Sequence, residues 1–268
     1  MSEPEPAPKL APPLREVALV FAATTAGTVA ATFAADALPG LARYENLLVG
    51  ILFFVVATKL AQREPGGMRR YGIDLAGLLT PPSADDERPP GPLGLYDLAR
   101  AIRDAAPSGA REALVALGVA AVVFPPFVLG FHFFYSHFGE LVGAPPVHEF
   151  RFDPPDDLAS FVLTQLLVVA LPEEMLFRGY VQTRLSERWP PKRRLLGALV
   201  DPRALVLQAA LFAVLHYASI PHPARLAVFF PGLLFGWLRA WRGGIGAAML
   251  LHAMSNVLAA FLERGWLA

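Results

Sequence analysis

The chain has 268 residues, of which 54% are hydrophobic and only 17% charged, with a formal net charge of zero. So low a charged fraction, against roughly 25% in soluble domains, excludes an ordinary soluble globule, and the balanced charge removes any electrostatic case for a nucleic-acid partner. Cysteine is absent, which rules out disulfides, thiolate metal ligands and a cysteine nucleophile.

Residues 1–16 are rich in Pro, Ala and Glu and read as a disordered tail. Apolar runs follow at about 17–38, 41–60, 112–136, 158–181, 204–220, 224–241 and 245–262. Each approaches the ~20 residues a bilayer span requires. Ala35-Asp36-Ala37 resembles a signal-peptide cleavage site, but the preceding run is long and a second apolar run follows at once. Backbone groups in lipid must be satisfied within their own segment, so these runs are helices. The expected fold class is all-α: a polytopic transmembrane helical bundle of about seven to eight spans, with an intramembrane domain over 17–268.

Basic residues alternate between connections. Arg63, Arg69, Arg70, Arg88, Arg100, Arg103 and Arg111 lie in the segment 61–111. Arg184, Arg188, Lys192, Arg193, Arg194 and Arg203 lie in 183–203, and Arg239 and Arg242 in the turn 239–244. The other connections hold little more than Arg43, Arg151 and Arg225. Seven spans with a cytoplasmic N-terminus put every basic loop inside, as the positive-inside rule requires. This predicts a multi-pass inner-membrane protein. Within 61–111, PPSADDERPPGP is a polar linker, and LGLYDLARAIRDA has the spacing of an amphipathic helix lying on the membrane surface.

The run 158–181 contains Glu173 and Glu174, with Arg178 four residues after the second. Ionisable groups at membrane depth are expensive and point to function. On a helix Glu174 and Arg178 share a face, while Glu173 is turned about 100° from its neighbour. This suggests Glu174 as a structural partner of Arg178 and Glu173 as the reactive carboxylate. His216 lies in another apolar run, and His252 and Asn256 share a helical face in the last one. Polar groups on three spans should face one another rather than lipid. Depth along the helices suggests a shared cavity opening toward the cytoplasm. A carboxylate, two imidazoles and an amide suit hydrolysis, with one pair deprotonating water and the other stabilising an oxyanion. The set Glu173, His216 and His252 could instead ligate a divalent metal such as zinc.

Other intramembrane hydrolase signatures are missing. His148-Glu149 lacks the second histidine of a zinc motif, there is no GxSxG elbow, and Tyr96-Asp97 lies in a polar loop. His132 and His137 border an aromatic run of interfacial character, and His222 sits between prolines in a short loop.

The three motifs resemble those of the CAAX protease and bacteriocin-processing family of intramembrane endopeptidases. Glu173-Glu174-Met-Leu-Phe-Arg178 matches its EExxxR motif, Phe212-Ala-Val-Leu-His216 its FxxxH motif and His252-Ala-Met-Ser-Asn256 its HxxxN motif, in the family's order, with Tyr71-Gly72 as a fainter echo. The resemblance covers 158–262. It implies a glutamate-dependent peptidase that needs no cofactor, with a zinc-type metal as the mechanistic alternative. Glu173 and His216 would hold the attacking water, and His252 and Asn256 the oxyanion. The implied partners are the bilayer and a membrane-anchored or lipidated protein or peptide substrate. The richness in Ala, Arg and Pro resembles a high-GC bacterial proteome, which favours processing or sorting of an anchored peptide over a prenylated one. The competing reading is a non-enzymatic membrane protein, a proton-coupled transporter or a bacteriocin-immunity scaffold, using the same polar residues.

Overall fold

The structure, a computed structural model, describes residues 13–79 and 95–267. Residues 1–12, most of the expected tail, and the Pro-rich linker lie outside the described residues. Pro13 to Glu16 form the first turn of a helix.

Seven principal helices account for the seven apolar runs. They are α1 (Pro13–Ala37), α2 (Glu45–Ala61), α3 (Leu95–Phe138), α4 (Leu158–Arg188), α5 (Pro202–Ser219), α6 (Phe229–Arg242) and α7 (Gly246–Leu267). Four of them, α1, α3, α4 and α7, are long and apolar enough to cross a membrane. The other three are shorter, and at 1.5 Å per residue even the longest of them reaches about 27 Å. Strand content among the described residues is a single hairpin, β1 (Arg193–Leu195) with β2 (Ala198–Val200).

The amphipathic stretch expected on the membrane surface is the first part of α3, continuous with the span that follows. Pro107 lies inside this helix and removes only one donor. Gly109 could end it by adopting left-handed backbone, but does not.

The helix starts follow local chemistry. The Asp157 carboxylate accepts from Ser160 N–H at the start of α4. Asp201 accepts from Arg203 N–H at the start of α5, where Pro202 needs no donor. The Arg203 guanidinium also bonds Asp201 twice and holds that carboxyl at about 2.

The ends of the bundle differ. At one end the basic connections interlock. Arg70 bonds Glu187, the Arg239 guanidinium donates to Tyr71 O at 3.0 Å, and Ile245 N–H donates to Gly72 O at 2.9 Å. Gly72 has φ +65°, and a Cβ there would meet Arg239 and the Gly243 carbonyl at 2.7 Å, so the turn requires glycine. Glu16 anchors α1 to this end by accepting from Tyr180 Oη and Arg184. At the opposite end, His148 N–H donates to Trp266 O at 3.1 Å, Arg151 N–H to Gly265 O at 2.9 Å, and His222 Nε2 to Val142 O at 3.0 Å.

Helix α4 runs through the core, with every residue from Glu174 to Gln182 buried. Phe53, Ile73, Met175, Leu176, Phe177, Tyr180, Leu185 and Phe212 form the main apolar cluster around it. Its backbone is irregular. The turns Thr164–Ala170 and Met175–Val181 are wide π turns, with Leu171 N–H bonded to Leu166 O and Gln182 N–H to Phe177 O. Pro172 accounts for the first, because it has no N–H to give the Val168 carbonyl four residues back. That carbonyl faces Gly50 of α2, where a Cβ would lie 2.4 Å from it. Gly50→Ala must push α2 away from α4. It is expected to cost about 1–3 kcal/mol in the denaturation midpoint of detergent-solubilised protein. Gly40→Ala, which meets nothing within 4 Å, should leave the midpoint unchanged.

Candidate active site

The Leu171–Glu174 turn of α4, set between the two π turns, carries the paired glutamates, and their surroundings differ. Glu174 is fully buried. Its Oε1 lies 3.1 Å from Arg178 Nη1 and 2.9 Å from His252 Nδ1. Glu173 faces a cavity of about 430 Å³, and its Oε2 lies 3.7 Å from His252 Nε2 and 3.9 Å from His216 Nε2. The chain thus brings residues of α4, α5 and α7 to one carboxylate oxygen, and that oxygen has no hydrogen-bond partner in the protein.

Each imidazole is held through its other nitrogen. His216 Nδ1 is 2.9 Å from the Phe212 carbonyl, four residues back on α5. A carbonyl only accepts, so His216 carries its proton on Nδ1 and turns the Nε2 lone pair to the cavity. His252 Nδ1 likewise faces the Glu174 carboxylate and donates to it, leaving Nε2 toward Glu173. The His252 ring stacks on Phe235 at 4.9 Å and lies perpendicular to the Phe212 ring at 6.0 Å.

Behind the glutamates, Arg178 is entirely buried. Its guanidinium sits 4.1 Å from the Phe212 ring centre and 5.2 Å from that of Phe235. Such desolvated cation–π contacts are worth roughly 2 kcal/mol. The same two phenylalanines therefore position both the cation and the His252 imidazole.

Asn256 also lines the cavity, one turn after His252, and its Nδ2 donates to Gln165 Oε1 at 3.0 Å. Gln165 was not anticipated from the sequence. Its signal was a lone amide in the apolar run LTQLLVV, on the same helix as Glu173. Two further buried amides were missed. Gln208 Nε2 donates to Gly232 O at 2.9 Å and Gln182 Nε2 to Gly236 O at 2.8 Å. Gly232 and Gly236 form a GxxxG pair on α6, and small residues at this spacing permit close helix approach. A Cβ on Gly236 would lie 2.3 Å from Gln208 Nε2.

The remaining histidines lie elsewhere. His132 packs edge-on to Trp266, His137 stacks on Phe133, and His222 accepts from Ala224 N–H to cap a short helix. Among the described residues no group of three or more His, Cys, Asp or Glu side chains is arranged to hold a metal ion.

The cavity opens at one end of the bundle. Its deep end is Glu173, Phe212 and His252. From there the lining passes Asn256 and Ala260 to Ile220, Arg225, Glu45 and Glu263, at the end of the bundle opposite the interlocked basic connections. Toward the basic end, Glu174, Arg178 and Gln208 close it.

No curated protein and no solved structure matches the chain. Residues 155–258 match the family model described as type II CAAX prenyl endopeptidase Rce1-like. That stretch contains Gln165, Glu173, Glu174, Arg178, His216, His252 and Asn256. The matched stretch runs from α4 into α7 and supplies Glu173, His216, His252 and Asn256 to the cavity, while Thr28 and Thr32 of α1 line it from outside that stretch.

Proposed function

We propose that the protein is an intramembrane endopeptidase that hydrolyses a peptide bond in or beside the membrane segment of an anchored protein. The observation that carries this reading is the approach of two imidazole Nε2 atoms to one unpartnered glutamate oxygen at the bottom of an intramembrane cavity. A water bridging two acceptors at ordinary hydrogen-bond lengths holds them about 4.4 Å apart. The 3.9 Å between Glu173 Oε2 and His216 Nε2 is close to that.

In the proposed reaction Glu173 takes a proton from this water as its oxygen attacks the scissile carbonyl carbon. His216 accepts the water's other hydrogen bond and fixes its direction. The carbonyl oxygen gains the negative charge of the tetrahedral intermediate. His252 donates to it from Nε2 in its imidazolium form, with Glu174 neutralising the cation through Nδ1. Asn256 gives one amide hydrogen to Gln165 and has the second for the same oxyanion. Collapse of the intermediate breaks the C–N bond, and the proton held by Glu173 passes to the departing amine. The products are a new carboxylate and a new amine, and no metal enters the sequence.

Two measurements test the reading. Membrane peptides from cells expressing the wild type or Glu173→Gln are compared by mass spectrometry. Fragments ending in or next to a membrane segment should appear only with the wild type. Identical peptide sets, together with substrate-dependent proton uptake in liposomes, would favour the transporter. In the second, cleavage by purified protein should survive exhaustive chelation. Loss on chelation and recovery with added zinc would remove the metal-free mechanism.

A further inference from the structure

We infer that the cavity opens on the non-cytoplasmic side of the membrane, so the substrate is a polypeptide segment that has already been carried across it. The inference rests on the peptidase reading for the word substrate, but its structural part does not.

The cavity is a one-ended funnel. Glu174 and His252 at its floor are buried, Asn256 and Ala260 are half-buried, and Ile220, Arg225 and Glu263 at its rim are exposed. The floor is sealed by Arg178 under its two aromatic rings and by the amides of Gln182 and Gln208 on the α6 carbonyls. A separate hollow of about 240 Å³ lies beyond that seal, lined by Arg70, Gln182, Asp201 and Arg239. The two spaces share no route through the Glu174–Arg178 pair, whose side chains have no exposed surface.

The ends differ in charge as well as in access. The sealed end gathers Arg63, Arg70, Arg184, Arg194, Arg239 and Arg242. The open end carries more carboxylates than cations, among them Glu45, Glu140, Asp156, Asp157 and Glu263. Positively charged connections are retained in the cytoplasm, so the sealed end is the cytoplasmic one. A substrate reaching Glu173 enters past Ile220 and Arg225. Its scissile bond lies on the outer side of its anchor, as in an exported protein held by a terminal membrane segment.

The absence of cysteine makes the test direct. Single cysteines are placed at Ile220 on the rim, at Leu141 on the same end and at Leu196 in the hairpin of the sealed end, all exposed. They are treated in spheroplasts with a membrane-impermeant maleimide. Ile220→Cys and Leu141→Cys should label as strongly before detergent as after it, and Leu196→Cys only after it. The reverse pattern overturns the inference, as does labelling of Ile220→Cys on the same side as Leu196→Cys. Labelling needs no turnover, so it decides sidedness even if Glu173→Gln proves the peptidase reading wrong. If both hold, the cleaved fragments should end on the non-cytoplasmic side of their anchors, and cleavage on the cytoplasmic side would contradict the inference.

Discussion

Replacing Glu173 by Gln is expected to abolish peptide cleavage, with a fall of about 10²–10⁴-fold or more for loss of a general base. The fold should be unaffected. Gln has the shape of Glu, and the oxygen it replaces has no hydrogen-bond partner in the protein to lose. Glu173 also faces the cavity instead of the packed core, so the denaturation midpoint should move by no more than about 1 kcal/mol. His216→Ala should also remove activity with the fold retained, because its Nδ1 bonds only to its own helix. Purified Glu173→Gln that cleaves at the wild-type rate would sink the mechanism outright.

The second large effect concerns the buried charges. Arg178→Leu leaves the Glu174 carboxylate without its cation in a place where neither side chain is exposed. Removing one partner of a buried pair typically costs about 3–5 kcal/mol, and that is the loss of stability expected here. Glu174→Gln should be destabilising too, and should also cost activity, since the carboxylate holds His252 Nδ1 at 2.9 Å. The decisive measurement is the double-mutant cycle. Once the carboxylate is neutral, the Arg178→Leu step should cost less than in the wild type, because residues in one network couple by roughly 0.5–3 kcal/mol. Strict additivity would show that the two side chains do not sense each other.

Much of this organisation was legible in the sequence, for identifiable reasons. Apolar runs near the length of a span mark helices directly, and all seven appear at about the expected positions. The i,i+4 spacing of Glu174 and Arg178 foretold a pairing that the structure contains. The contact of Glu174 with His252 was beyond reach, since it joins residues 78 apart and depends on how α4 and α7 cross. Gln165, Gln182 and Gln208 were overlooked because an isolated amide in an apolar run carries no spacing signal until its partner is known. The continuity of α3 through Pro107 defeats a local rule that reads proline as a boundary. Which end of the bundle is closed was beyond reach, because the seal is built by side chains from three helices.

The contact between Gly50 and the Val168 carbonyl bears on how this sequence can drift. Pro172 denies that carbonyl its usual donor and widens the helix, and α2 then closes in on the widened turn. Positions 50 and 172 are therefore one hereditary unit. A side chain can enter at 50 only in a lineage whose α4 has regained its tight winding. Such a lineage must also find another way to turn its first glutamate toward the histidines. Neither residue carries a charge, yet Pro172 directly precedes Glu173 and Gly50 lines the cavity that Glu173 faces.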